Sequence, residues 1–473
     1  MSLDLERPLR NPDTTSEPFM TKRAWWLVVI GFVLPGSAQM LAGKRKLGRV
    51  GHVATLVLIA GVLLTLLGLM TARTATFTIF TNGVALFVLQ VLLVAYAILW
   101  LVLGFDTLRL TQLVRVKRNW RVPIAVLSVI LTVVPSVGAA WTASTIGDTR
   151  ALLSSLFQGA PAVDPVDGRY NILLLGTDAG SDREGLRPDS ISLVSVDAET
   201  GQSLIIGLPR DLVGAPFPED SPMYALHPNG FGVGPNDWSE WGGCNIGAPD
   251  ACKLNALYAE MTEFTDLGNY DGFYADAASR GSSPGIEATK DAVSGITGLE
   301  TQFYVLVNMD AFSNLIDALG GVDINVETRL PIGGDQYGNG VEGWVEAGQQ
   351  HMNGYTAQWY ARSRYGSDGG DYDRMERQRI LQAAILAQMN PQNVLSRFQD
   401  IAAAGTELVE TDIPESMLGR FLDLAAKARG YDPVNVELVP PAFDPENPDF
   451  ADARALVDAG LMAASPPEEE PAQ

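Results

Sequence analysis

Cysteine and histidine are the scarce residues of this 473-residue chain, with two of the first and three of the second. His52 lies in an apolar stretch, and His227 and His351 lie in Pro- or Gly-bearing loops. No Ser-His-Asp relay is legible from such a set. Zinc is also disfavoured: a structural site takes four ligands, and His227 alone is near the cysteines in sequence. Cys244 and Cys252 are separated by seven residues rich in Gly, Pro and Asn, so a disulfide closing a short surface loop is expected. That bond requires an oxidising compartment.

Basic residues are scarce in one part of the chain only. Residues 1–145 carry 14 Lys and Arg against 5 Asp and Glu, a net of +9. Residues 146–473 carry 19 against 50, a net of −31. An acidic domain of that size argues against a nucleic-acid partner, because a phosphate backbone requires a basic footprint.

The front is apolar as well as basic. Val50–Met70, Phe77–Leu103 and Val122–Ser144 each supply the ~20 residues that cross a bilayer. A fourth run, Trp25–Ala42, is shorter and is interrupted by Pro35-Gly36; it reads as a re-entrant or spanning segment. Lys44, Arg45, Lys46 and Arg49 follow this run, and Arg109, Arg115, Lys117, Arg118 and Arg121 precede the last span. The positive-inside bias assigns both loops to the cytoplasm, so the chain after ~145 is expected outside. The spans lack the internal charges that mark a transport path, which favours an anchor. The expected organisation is a disordered cytoplasmic N-terminus (1–22), a multi-pass membrane region (23–145), a linker (146–167), an extracellular domain (168–460) and a disordered acidic tail (461–473).

In the outer part the pattern changes. Short apolar runs read as buried strands: Asn171–Gly176, Ile191–Val196, Leu204–Gly207, Val305–Val307, Val322–Val326 and Val436–Val439. Helical patterns alternate with them at Leu254–Phe264, Ile286–Ser294, Asp310–Leu319, Asp373–Met389 and Ala451–Ala459. The expected fold class is α/β, with a mostly buried central sheet.

Three clusters follow strands or open a helix. Gly176-Thr-Asp178 is followed by Arg183, Arg187, Asp189 and Ser190; Leu208-Pro-Arg210-Asp211 follows a later strand. Open α/β sheets bind ligands at the carboxyl ends of their strands. Aspartates there can hold a divalent cation while arginines take phosphate oxygens. The third cluster holds five arginines within eighteen residues: Arg362, Arg364, Arg374, Arg377 and Arg379. Its loop feeds a helix N-terminus, which itself favours an anion. The competing reading is ion pairing with Asp368, Asp371, Asp373 and Glu376.

Taken in order, Asn171-Ile-Leu-Leu-Leu-Gly-Thr-Asp178, Arg187-Pro-Asp189-Ser, Leu208-Pro-Arg210-Asp211, Lys253-Leu-Asn255-Ala, Leu319-Gly-Gly-Val322, Asn353-Gly354, Tyr360-Ala-Arg362-Ser-Arg364 and Asp373-Arg374 with Arg377-Gln378 resemble the LytR-CpsA-Psr family. The resemblance covers roughly residues 168–392. It implies an α-β-α sandwich with a mixed sheet, and an extracytoplasmic phosphotransferase. Such an enzyme moves a glycan polymer from a polyprenyl-diphosphate donor onto a peptidoglycan acceptor, through a phosphodiester to the muramic acid 6-hydroxyl. Magnesium (or manganese) would be the cofactor, held by Asp178 and Asp189. Either aspartate would activate the acceptor hydroxyl, with Arg210 beside them. Arg187, Arg210, Arg362, Arg364 and Arg374 would bind the diphosphate, with Lys253 and Gln378 as further contacts. A polyprenyl-diphosphate pyrophosphatase and a non-catalytic envelope-binding or regulatory protein are the alternatives. Two departures from the family pattern stand out: Pro188 replaces a hydroxyl residue between Arg187 and Asp189, and the anchor has several spans where many members have one.

Overall fold

The computed structural model describes residues 9–156, 162–177, 188–233, 252–263, 270, 272–334, 339–363, 371–388 and 409–465. It forms two compact units, Met1–Ala151 and Leu152–Gln473.

The first unit is helical: α1 (Glu17–Val33), α2 (Ser37–Ala42), α3 (Arg45–Thr71), α4 (Arg73–Thr81), α5 (Gly83–Thr111) and α6 (Arg118–Leu156). Three stretches are long and apolar enough to cross a membrane, namely Arg45–Thr71, Gly83–Arg115 and Arg118–Ala151. The segment Trp25–Ala42 is split at Leu34-Pro35-Gly36, where Gly36 adopts φ +97°. A β-carbon there would meet the Gly48 carbonyl oxygen at 2.3 Å, so α2 folds tightly onto α3. The second expected span begins later than its apolar run. Phe77–Thr81 belongs to α4, and Asn82 ends that helix and caps α5 by accepting from the Ala85 amide. Within the apolar run, Thr81-Asn82-Gly83 marks the break.

The second unit is an α/β domain. Its strands are β1 (Arg169–Thr177), β2 (Pro188–Asp197), β3 (Ser203–Leu208), β4 (Phe303–Asn308), β5 (Val322–Val326), β6 (Leu330–Gly333), β7 (Val341–Val345), β8 (Gly348–Met352), β9 (Val409–Thr411) and β10 (Val434–Glu437). Six of them build a mixed sheet in the order β10-β3-β2-β1-β4-β9. The β1/β4 and β3/β10 pairs are parallel, and the other pairs are antiparallel. Strand β5 is not part of this sheet, although its apolar run reads like the others. It pairs with β8, and β6 pairs with β7, in two small ribbons. The alternating burial of β5 is that of a strand covered on one face.

The helices are α7 (Leu257–Glu263), α8 (Pro284–Thr297), α9 (Met309–Leu319), α10 (Gly354–Arg362), α11 (Asp371–Gln388), α12 (Leu418–Ala428) and α13 (Phe450–Ala463). Leu173, Leu175, Leu193, Ile206 and Leu208 bury one sheet face against Leu257, Ile286, Val293 and Val457 of α7, α8 and α13. Each such side chain contributes ~1.5–3 kcal/mol. Tyr170, Phe303 and Ile172 face the other way and pack on Phe421 and Leu424 of α12. A separate core joins α9, α10 and α11 to β5 and β8 through Ile316, Val322, Ile324, Tyr360 and Leu381.

Several motifs prove to be joints of this scaffold. Gly320 and Gly321 take φ +90° and +93° to turn α9 into β5. Asn353 caps α10, and Gly354 lies so close to α9 that a β-carbon would fall 2.0 Å from the Ser313 carbonyl oxygen. The Gly354 amide also donates to Asp317 Oδ1 at 2.8 Å.

Candidate functional site

Connectivity brings the sequence clusters to one edge of the sheet. Strands β1 and β3 end at that edge and antiparallel β2 begins there, with Thr177 paired to Pro188. The register shifts here, with Gly176 paired to Ser190 and Thr177 to Pro188, so Asp189 is the extra residue of β2 that bulges out of the ladder. Arg210 Nη1 donates to its carboxylate, and Arg374 Nη2 donates to its backbone carbonyl at 3.2 Å. A small pocket here is lined by Asp189, Ser190, Arg210, Met375, Gln378 and Arg379.

Each side chain is held from behind. The loop after β3 carries Arg210 and is braced by the next segment: Asn255 N donates to Arg210 O at 3.1 Å, and Leu254 N donates to Leu212 O at 2.9 Å. Lys253 pairs by a bridge with Val213 and reaches Asp211 Oδ1 at 3.3 Å. Lys253 therefore neutralises the acid next to Arg210, and the Lys-Leu-Asn motif is a brace for that loop. On α11, Arg374, Met375, Gln378 and Arg379 fall within an arc of about 140°, which faces the sheet edge. Gln378 Nε2 donates to the Ala361 carbonyl at 3.3 Å and so ties α11 to the end of α10. Arg362 ends α10 with its guanidinium 5.7 Å from the Trp359 ring centre.

Two arginines of the third cluster divide the work. Arg377 lies outside the arc and donates to the buried Tyr360 and Ser363 carbonyls at the C-terminus of α10. Burial lowers its pKa. Arg379 lies inside the arc and pairs with Glu437 at the end of β10. Gly207 leaves the room: a β-carbon there would sit 2.7 Å from Arg379 Nη1. Burial draws the Arg379 guanidinium down to about 10, against the opposing pull of Glu376, so it stays protonated at neutral pH. Arg379 and Glu437 are members of the site that the sequence left unassigned. The signal was there in α11, because residue 379 follows Arg374 and Met375 at helical spacing.

Among the described residues, Arg210, Lys253, Arg374 and Arg379 gather with Asp189, Asp211 and Glu437 at this edge. Arg374 and Arg379 are buried. Guanidinium groups withdrawn from water bind phosphate oxygens more strongly than exposed ones. The expected site residues Asp178, Arg187 and Arg364 lie outside the described residues, as does Cys244. Cys252 is buried and disulfide-bonded. A Gly-x-Ser-x-Gly string does occur at Gly281–Gly285, but it follows no strand. Ser283 is the cap of α8 and accepts from the Ile286 amide, so it is no nucleophile elbow.

The pattern of the LytR_cpsA_psr family matches residues 150–440, more than half of the chain. The chain belongs to this family. It is 26% identical over 248 residues to Biofilm regulatory protein A of Streptococcus mutans, covering 52% of this chain and 50% of that protein. It is 26% identical over 250 residues to the cell wall biosynthesis protein LcpA of Corynebacterium glutamicum, covering 50% and 43%. It is 26% identical over 246 residues to the polyisoprenyl-teichoic acid–peptidoglycan teichoic acid transferase TagU of Enterococcus faecalis, covering 52% and 61%. The chain thus spans about half the length of the curated relatives it matches. The crystal structure of Bacillus subtilis TagV superposes with a TM-score of 0.41 at 20% identity, covering 63% of this chain and 97% of that one.

Proposed function

We propose that this LytR_cpsA_psr protein is a membrane-anchored transferase whose C-terminal domain lies outside the cell. It moves a glycan polymer from a polyprenyl-diphosphate carrier to the muramic acid 6-hydroxyl of peptidoglycan. The observation that carries the reading is the convergence of Asp189, Arg210, Arg374 and Arg379 at the carboxyl edge of the sheet. The acceptor oxygen attacks the phosphorus next to the glycan, and the bond from that phosphorus to polyprenyl phosphate breaks. Asp178 or Asp189 would take the hydroxyl proton. Arg210, Arg374 and Arg379 would clamp the diphosphate and offset the charge that develops on the departing phosphate.

The described donors near the pocket, the Asp189 carboxylate and the Ser190 hydroxyl, are hard oxygens of the kind magnesium takes. Asp178 and Asp189 would hold the ion. When bound, it neutralises phosphate charge during transfer.

The test uses the full chain in detergent micelles with a diphosphate-linked lipid glycan, a muropeptide and magnesium. A covalent glycan–muropeptide product is expected, lost with EDTA and restored by magnesium. No product under conditions where another family member is active would overturn the transferase reading. Polyprenyl phosphate released at full rate without acceptor would replace it with a pyrophosphatase. A rate indifferent to EDTA would remove the metal.

A further inference from the structure

The membrane unit contains a cavity that the anchor role does not use. Pro135 lies inside α6 and supplies no N–H, so the Leu131 carbonyl loses its intrahelical donor. Trp100 of α5 takes that place, with Nε1 donating to Leu131 O at 3.1 Å. Close by, Gly104 admits Thr132: a β-carbon at 104 would fall 2.1 Å from Thr132 Oγ1. A second approach lies toward the other end of the pair. Gly147 admits Gln90, whose Nε2 would be 2.4 Å from a β-carbon at 147. Small residues at both places let the two helices touch.

Between these contacts the helices leave a groove of about 450 Å³, lined by Val94, Ala97, Ile98, Leu101, Val133 and Val137. Gln90, Ser136 and Ser144 also border it, and the Ser136 hydroxyl donates to the Thr132 carbonyl at 2.8 Å. The glycine contacts are separated by about 21 Å along α5 and about 22 Å along α6. That exceeds the ~15 Å depth of one leaflet's hydrocarbon. Arg150 stands just past the Gln90 contact, its guanidinium 4.8 Å from the Phe87 ring centre. It is the sole Lys or Arg between Arg121 and Arg169.

We propose that α5 and α6 form a binding site for one anionic phospholipid, its acyl chain in the groove and its phosphate at Arg150. Both helices are apolar enough to lie in a membrane, so the groove opens onto hydrocarbon and a lipid chain is what can enter it. A single cation at one end complements a single phosphate. The volume lies within the range of small-ligand sites.

The test is lipid retention by the full chain, purified in detergent, incubated with palmitoyl-oleoyl phosphatidylglycerol or the matching phosphatidylcholine, exchanged, and weighed by native mass spectrometry. Stoichiometric phosphatidylglycerol and little phosphatidylcholine are expected. Arg150→Gln should hold roughly fivefold less, the effect of one basic residue near an anionic headgroup, and Arg150→Lys should recover most of it. Ala140→Trp, at an exposed position lining the groove, should abolish retention. Elution volume and helical circular dichroism check the fold of each variant; if one misfolds, the wild-type choice between the two lipids decides alone. Equal retention of both lipids, retention unchanged in folded variants, no retained phospholipid, or displacement of phosphatidylglycerol by equimolar polyprenyl phosphate would each overturn the proposal.

Discussion

Replacing Arg210 by Ala removes the side chain that joins β3 to the start of β2 in the proposed site. Its guanidinium donates to Asp189 and lies 3.7 Å from Asp211. If Arg210 binds the diphosphate as charge develops, its loss resembles removal of one preorganised donor, about 2.7–4 kcal/mol or 10²–10³ in rate. If it serves only to hold Asp189 in place, Asp189→Asn alone should cost as much as the double variant. The cycle of Arg210→Ala, Asp189→Asn and both together separates these roles, because groups acting as one unit couple by about 0.5–3 kcal/mol. Arg210→Lys sharpens the distinction: lysine keeps the charge and loses the planar fork. The assay is transfer by full-length protein in micelles, with thermal unfolding followed in parallel. The expected result is a rate reduced by at least about a hundredfold in Arg210→Ala, partly recovered in Arg210→Lys, with little change in melting. A folded Arg210→Ala variant that transfers at close to the wild-type rate would refute the clamp.

Other outcomes follow from the fold. Lys290 is buried between Asp412 and Glu287 and also donates to the Gln302 carbonyl at 3.3 Å, so Lys290→Met should destabilise the domain by about 3–5 kcal/mol in urea unfolding, because buried Asp412 loses its cation while Glu287 keeps Arg280. His227 is buried beside Tyr270 and Phe231, and burial lowers its pKa to about 4. The unfolded chain therefore binds the extra proton first, and about 3 kcal/mol of stability present above pH ~6.5 should be lost as pH falls toward 4. Urea midpoints across that range should flatten in His227→Phe. Gly354→Ala would press a β-carbon against the Ser313 carbonyl and should cost about 1–3 kcal/mol, read as a lower melting temperature.

Much of this protein is written in one dimension. The charge split, the three long apolar stretches and the alternation of strand and helix signals depend on local composition and period, which a sequence displays directly. So does the placing of Arg210 and Asp189 at strand ends, since a buried strand ends where its apolar run gives way to polar residues. Three-dimensional packing decided the rest. Arg377 and Arg379 are two residues apart and equivalent in composition, yet helix phase turns one to the carbonyls of α10 and the other to Glu437. The run Val322–Val326 reads like the central strands, but its partner is β8, because pairing depends on which distant segment lies alongside. The Asn353-Gly354 motif seats α10 on α9, and only the neighbouring helix shows why a β-carbon is excluded. The sequence by itself determined which segments are apolar, which are charged and where strands end. The tertiary structure alone decided which face each charged residue presents, because that depends on contacts between segments a hundred or more residues apart, as Arg374 and Asp189 show.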